Sequence, residues 1–119
     1  MSTYTNVESD TRPWGNWAVV ALGPRYVVKR LTIIPGASIS LQRHKWRDEH
    51  WVVVNGAADV VLGEATRRLV ENEALFIPAG EIHRMSNPGD SDLVVIEVQH
   101  GARLEEGDIE RLQDNYGRT

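Results

Sequence analysis

From Trp17 to about His100 the chain alternates short apolar runs with turn-forming dipeptides. Val19-Val20-Ala21-Leu22 stops at Gly23-Pro24, and the run from Tyr26 to Ile34 stops at Pro35-Gly36. Ser38 to His44 follows, then Trp51 to Val54, which closes at Asn55-Gly56. Asn-Gly is a strong signal for a two-residue hairpin, because both central residues must accept positive φ. Asp59 to Leu62 runs into Gly63-Glu64, a second hairpin signal, and Thr66 to Val70 returns. Leu75 to Ile77 ends at Pro78, His83 to Met85 leads to Asn87-Pro88-Gly89, and Leu93 to Gln99 is the last run. Many short strands with turns between them predict an all-β sandwich or barrel. The ends differ. Residues 1–16 are polar and rich in turn formers, and read as an arm before a barrel at 17–100. In the tail, 101–119, Asp108 is placed to cap a short helix over Ile109 to Gln113. No repeat, low-complexity tract or linker divides the chain, so 1–119 is expected to be one domain.

Composition narrows the setting. With 119 residues the chain is long enough to bury a core without staples. It has no cysteine, so neither a disulfide nor a thiolate metal site is available, which fits the cytoplasm. No apolar run approaches the ~20 residues needed to cross a bilayer, and Met1-Ser2-Thr3-Tyr4-Thr5 lacks the features of a secretion signal. No membrane partner is expected. The formal net charge of −4 and the scattered basic residues give a nucleic acid no electrostatic support; a small anion such as a sugar phosphate suits them better.

Two clusters carry the chemistry: Gln42-Arg43-His44-Lys45-Trp46-Arg47-Asp48-Glu49-His50 and Pro78-Ala79-Gly80-Glu81-Ile82-His83. Side chains alternate faces along a strand, so Gln42, His44 and Trp46 share a face if their segment stays extended. Trp51 and Val53 are core residues, which turns Glu49 inward and His50 outward. A carboxylate facing a barrel interior is costly unless it is paired or bound to a cation. Gly80 lets the chain turn before His83. Gln42, His44, Glu49 and His83 are then a candidate ligand set for a divalent metal, zinc first, with manganese, iron or nickel as alternatives. The plainer reading is a pair of hydrogen-bonded histidines, an ion pair of Glu49 with Lys29 or an arginine, and a glutamine that satisfies backbone groups. Lys29 alternates with Leu31 and Ile33 and should point inward. Glu97 shares a face with Val95 and Gln99, although that strand's phase could equally turn Ile96 and Val98 inward. Glu105-Glu106 reads as a solvated segment.

These residues resemble the cupin superfamily, whose motifs run roughly G-x(5)-H-x-H-x(3,4)-E-x(6)-G and G-x(5)-P-x-G-x(2)-H-x(3)-N. The second is intact from Pro78 through Gly80, His83 and Asn87. In the first, His44, Glu49 and Gly56 fit, Trp46 stands at the second histidine, and Gly36 is slightly displaced. The resemblance implies a double-stranded β-helix, or jelly-roll barrel. A narrower resemblance covers nearly the whole chain: the carboxy-terminal cupin domain of type II phosphomannose isomerases, often fused to a mannose-1-phosphate guanylyltransferase. It rests on Arg12-Pro13-Trp14-Gly15, Val28-Lys29-Arg30-Leu31-Thr32, Ser40-Leu41-Gln42, Glu49-His50-Trp51-Val52-Val53-Val54, Ile96-Glu97-Val98-Gln99, Gly107-Asp108-Ile109 and Tyr116-Gly117-Arg118.

That resemblance implies a metal-dependent aldose–ketose isomerase that interconverts mannose 6-phosphate and fructose 6-phosphate, in the supply of GDP-mannose and polysaccharide precursors. It also tips the choice of base towards Glu97 and gives Lys29 the enediolate or the phosphate to meet. Arg84 beside His83, with Arg12 and Arg118 in shared segments, are candidates for the phosphate, which a guanidinium fork suits. Trp46 is a packing or sugar-stacking surface. The glycine-rich nucleotide loop of the fused enzyme is not found, so nucleotidyl transfer is not implied.

Trp46 sets the alternative. Indole cannot replace imidazole as a ligand, because its N–H only donates. Either Gln42 completes a weaker site, or the chain is a non-catalytic or repurposed cupin that binds a sugar or small metabolite without metal. A non-haem iron dioxygenase would need open positions around a firm ligand set, which is depleted here. By fold-level analogy, the arm and the exposed barrel edges imply a homodimer.

Overall fold

The computed structural model describes residues 9–113, which form eleven strands. They are β1 (Ser9–Arg12), β2 (Gly15–Gly23), β3 (Tyr26–Ile33), β4 (Leu41–Arg43), β5 (Asp48–Asn55), β6 (Ala58–Leu62), β7 (Ala65–Leu69), β8 (Ala74–Ile77), β9 (His83–Ser86), β10 (Leu93–His100) and β11 (Glu110–Gln113). A six-stranded sheet runs β1-β2-β3-β10-β5-β8, and a five-stranded sheet runs β11-β4-β9-β6-β7. Among the described residues no helix is long and apolar enough to cross a membrane.

Period-2 alternation builds the core. Val27, Lys29, Leu31 and Ile33 of β3 are buried, as are Glu49, Trp51 and Val53 of β5 and Leu93, Val95, Glu97 and Gln99 of β10. From the second sheet come Val60, Leu69 and Met85, and Trp14 and Trp17 join the same cluster. Each such apolar side chain contributes about 1.5–3 kcal/mol when fully buried. The result is the all-β jelly-roll barrel that the motifs predict.

Register sets the polar inward residues side by side. Lys29, Glu97 and Trp51 are successive partners across β3, β10 and β5, and Gln99 lies opposite Glu49. In the other sheet Gln42 of β4 lies opposite His83 of β9.

Some local expectations are corrected. Asn55-Gly56 closes no hairpin: β5 pairs with β10 and β8, whereas β6 pairs with β7 and β9. This turn carries the chain between sheets, with Gly56 alone at positive φ (85°) and Asn55 not. Gly63-Glu64 does close a hairpin, with Leu62 opposite Ala65. The expected C-terminal helix over Ile109 to Gln113 is absent from the described residues; Glu110–Gln113 is strand β11, paired with β4. So short a segment cannot nucleate a helix by itself, and the open edge of β4 offers it ladder hydrogen bonds. The predicted arm contributes β1, which pairs with β2 from Ser9↔Ala18 to Arg12↔Gly15.

The run predicted over Ser38 to His44 narrows to β4 and one bridge, Ser38↔Ser86. Beyond it the chain bends, because the Asp108 carboxylate accepts the backbone N–H of Lys45 at 2.8 Å and of Trp46 at 2.9 Å. Gly101 lies under this bend, where a Cβ would come within 2.6 Å of the Trp46 carbonyl oxygen. The segment therefore does not stay extended. Trp46 is 43% exposed instead of sharing the inward face of His44, and Arg47 is buried.

Candidate metal centre

Three donors converge from separate segments. His44 directly follows β4, Glu49 lies near the start of β5, and His83 opens β9. All are buried, and their candidate ligand atoms lie within 4.8 Å of one another. His44 Nε2 is 3.1 Å from Glu49 Oε2, and His83 Nε2 is 3.9 Å from Glu49 Oε1. Two ligands about 2.1 Å from a tetrahedral ion stand roughly 3.4 Å apart, so these spacings suit a single ion.

The other ring nitrogens fix the tautomers. His44 Nδ1 is 2.7 Å from the Asp108 carbonyl oxygen, and His83 Nδ1 is 2.9 Å from that of Glu81. A carbonyl only accepts, so Nδ1 carries the proton in both rings and each Nε2 aims a lone pair towards Glu49. Lone pairs facing a carboxylate at this range repel unless a cation intervenes. Among the described residues His83 Nε2 is buried with no hydrogen-bond partner, an arrangement that ordinarily costs about 1–3 kcal/mol. This donor set fits a divalent metal held by nitrogen and oxygen. Burial, with help from Arg47 and His83, lowers the pKa of His44 to about 4 against the pull of Glu49. The neutral, ligating form of that ring thus persists under mildly acid conditions.

Arg47 belongs to the site although no motif announces it. Its Nε donates to Glu49 Oε2 at 2.8 Å, and its Nη2 lies 3.4 Å from His44 Nε2. Burial disfavours the Glu49 charge, yet Arg47 first, then His44 and His83, hold that carboxyl well below the usual range. One sequence signal points to Arg47: the inward series Glu49, Trp51, Val53, carried back one more period, reaches it.

A second carboxyl lies alongside. Trp51 Nε1 donates to Glu49 Oε1 at 3.0 Å and to Glu97 Oε2 at 3.3 Å, while Gln99 Nε2 donates to Glu97 Oε1 at 2.8 Å. Burial, then the Glu49 charge, raise the Glu97 pKa to about 7 against Lys29 and Arg47. A carboxyl so placed exchanges protons near neutrality. Lys29 lies with Nζ 4.0 Å from the centre of the Trp17 ring and donates to Glu106 Oε2 at 2.8 Å. A cavity is lined in part by Gln42, His44, Arg47, Lys29 and Glu97.

The sequence pattern of the family described as mannose-6-phosphate isomerase C-terminal matches residues 2–114. The chain belongs to this family. It is 51% identical over 108 residues to the xanthan biosynthesis protein XanB of Xanthomonas campestris pv. campestris, covering 91% of this chain and 23% of that protein. It is 48% identical over 108 residues to a mannose-1-phosphate guanylyltransferase of Escherichia coli, with the same 91% and 23% coverage. The chain thus spans less than a quarter of the length of these relatives. The solved structure of the capsular polysaccharide assembling protein CapF from Staphylococcus aureus aligns with a TM-score of 0.78 and 20% identity, over 92% of this chain and 33% of that one. The cupin domain of Cnp3 from Schizosaccharomyces pombe aligns at a TM-score of 0.65 and 15% identity, over 71% of this chain and 64% of that one. These two likenesses are of fold, and the fold is cupin.

For this member of the family, the remaining predicted residues divide by position. Gln42 lies in the cavity wall with its Oε1 accepting from Ser40 Oγ at 2.8 Å. Arg12 joins the wall, shared between Asp10 and Glu106. Arg84 is not brought in: it alternates with His83 along β9, and its Nη2 donates to the Gln113 carbonyl at 3.1 Å. Trp46 also stays outside that wall, its ring centre 4.8 Å from Lys45 Nζ and 4.9 Å from Arg103 Cζ. Arg118 lies outside the described residues.

Proposed function

We propose that this chain is a metal-dependent isomerase of mannose 6-phosphate and fructose 6-phosphate, acting in the supply of GDP-mannose and polysaccharide precursors. The observation that carries this reading is the convergence of His44, Glu49 and His83 next to the proton-exchanging Glu97. His44, Glu49 and His83 would hold the ion, zinc first among the candidates, with Gln42 as a fourth ligand. Bound there, a divalent ion supplies Lewis-acid polarisation of the sugar carbonyl.

The chain's own residues then divide the work. Glu97, as the carboxylate, removes the proton from C2 of the aldose and returns it to C1. Trp51 and Gln99, which donate to its two oxygens, hold the carboxyl in one orientation while it does so. The Lys29 ammonium, on the neighbouring strand opposite Glu97, faces the negative charge that develops on the substrate oxygens or the phosphate. The barrel walls exclude water from the enediolate. The reading includes a homodimer in the cytoplasm; the exposed apolar residues Val52, Val54 and Phe76 support the dimer.

One observation favours a second reading, a cupin that binds a small metabolite without metal: the Arg47 guanidinium already compensates Glu49. Metal analysis of protein purified without chelator, combined with coupled turnover of mannose 6-phosphate, separates the two. About one ion per chain and turnover abolished by chelation are expected of the isomerase. Ligand binding without metal or turnover would leave the second reading in its place.

A further inference from the structure

Lys29 is only 3% exposed, and a buried ammonium needs a counter-charge. A principal counter-charge comes from a loop. Glu106 Oε2 accepts from Lys29 Nζ at 2.8 Å, and its Oε1 lies 3.6 Å from Arg12 Nη2. Glu106 belongs to the turn between β10 and β11, and its side chain is 43% exposed. Arg111 lines the same cavity. A carboxylate from a partly solvated turn thus reaches into a cavity whose wall carries Arg12, Lys29, Arg47 and Arg111.

We propose that Glu106 is an internal stand-in for a phosphate: Lys29 and Arg12 form a phosphate-binding subsite, and an incoming phosphate monoester displaces the Glu106 carboxylate from it. This deepens the sugar-phosphate reading above and rests on it.

Charge favours the exchange, since a phosphate monoester carries about −1.5 to −2 with three strong acceptor oxygens near neutrality, against a single negative charge and two oxygens for a carboxylate. Geometry favours it as well. Lys29 and Arg12 address different oxygens of one carboxylate, which is how two cations share a phosphate. The displaced group has somewhere to go, because the Glu106 side chain is already half in water. The movement is confined by fixed points on either side. Leu104 is buried in the core, and Asp108 is pinned by the backbone N–H groups of Lys45 and Trp46. Only the turn at 105–107 has to shift. That turn also carries the Glu105 carbonyl, which accepts from Arg47 Nη1 at 3.4 Å. Phosphate arrival therefore loosens a contact of the guanidinium that compensates Glu49.

The test is calorimetric titration of the full chain with inorganic phosphate at fixed ionic strength, comparing the unsubstituted chain with Glu106→Gln. The variant should bind about 3- to 5-fold more tightly, because a part-exposed ion pair no longer has to be broken first. Lys29→Met should lose measurable binding; where that variant fails to fold, the Glu106→Gln comparison decides alone. Unchanged or weaker phosphate binding by Glu106→Gln overturns the proposal and leaves an ordinary ion pair. Turnover is no part of this readout. Tighter phosphate binding by a chain that converts no sugar phosphate would end the isomerase reading and keep the subsite, while turnover without the Glu106→Gln effect would do the reverse.

Discussion

Replacing Arg47 with methionine removes the guanidinium and keeps much of its apolar stem. The Arg47 Nε to Glu49 Oε2 contact is 2.8 Å, between side chains 7% and 1% exposed. Deleting one partner of a buried pair costs about 3–5 kcal/mol, since the charge left behind has no solvent to stabilise it. That is a large part of the roughly 5–15 kcal/mol that holds a domain folded. Glu49 then escapes in one of two ways, by taking a proton or by taking a cation. A divalent ion at His44, Glu49 and His83 replaces the lost positive charge, so Arg47→Met should bind zinc more tightly than the unsubstituted chain. Recovery of about 3 kcal/mol on binding corresponds to roughly 10²-fold in affinity, at 1.4 kcal/mol per decade. Urea unfolding in chelator and in excess zinc measures the stability side, and competition against a chromophoric chelator measures the affinity. The variant should be about 3 kcal/mol less stable in chelator and close to the unsubstituted chain in zinc. Its deficit in chelator should shrink as the pH falls, because Glu49 without Arg47 protonates more readily. Equal stability in chelator, or weaker zinc binding by the variant, would refute the competition between guanidinium and metal.

His83→Ala should eliminate bound metal, read by elemental analysis; unchanged occupancy would remove His83 from the ligand set. Glu97 works as a base when deprotonated, and burial holds its pKa above the ordinary carboxyl value, so kcat/KM for mannose 6-phosphate should rise with pH before it levels off. Glu97→Gln should lose about 10²–10⁴-fold, and an unchanged rate would assign the base elsewhere. The same raised pKa makes the folded chain bind a proton that the unfolded chain releases. Its contribution to stability is therefore full below the ordinary carboxyl value and declines as pH rises towards about 7; Glu97→Gln should flatten that slope in unfolding titrations. Trp46→His should leave zinc affinity within about twofold, given the indole's exposed position; a tenfold gain would put position 46 inside the cavity after all.

Much of this was legible from alternation alone. Glu49 faces inward because it shares a phase with Trp51 and Val53, and Lys29 does so with Leu31 and Ile33. Glu97 was ambiguous, because both phases of β10 are rich in branched apolar residues; the strand is covered on its inner face while Ile96 and Val98 remain partly exposed outside. The bend after β4 was illegible locally. It depends on Asp108, which lies far along the chain, and on the missing side chain of Gly101. The motif therefore put Trp46 in the cavity, whereas the tertiary contact turned it out and drew Arg47 in. Glu106 was unreadable for the same reason: nothing in Glu105-Glu106 says that one of the pair reaches a lysine on β3.

Asp108 accepts the Nδ1 proton of His44 through its carbonyl while its carboxylate shapes the next two residues. During synthesis His44 leaves the ribosome long before the residue that orients it. The ring has no fixed aim until the second half of the chain has been made and β11 has closed onto β4.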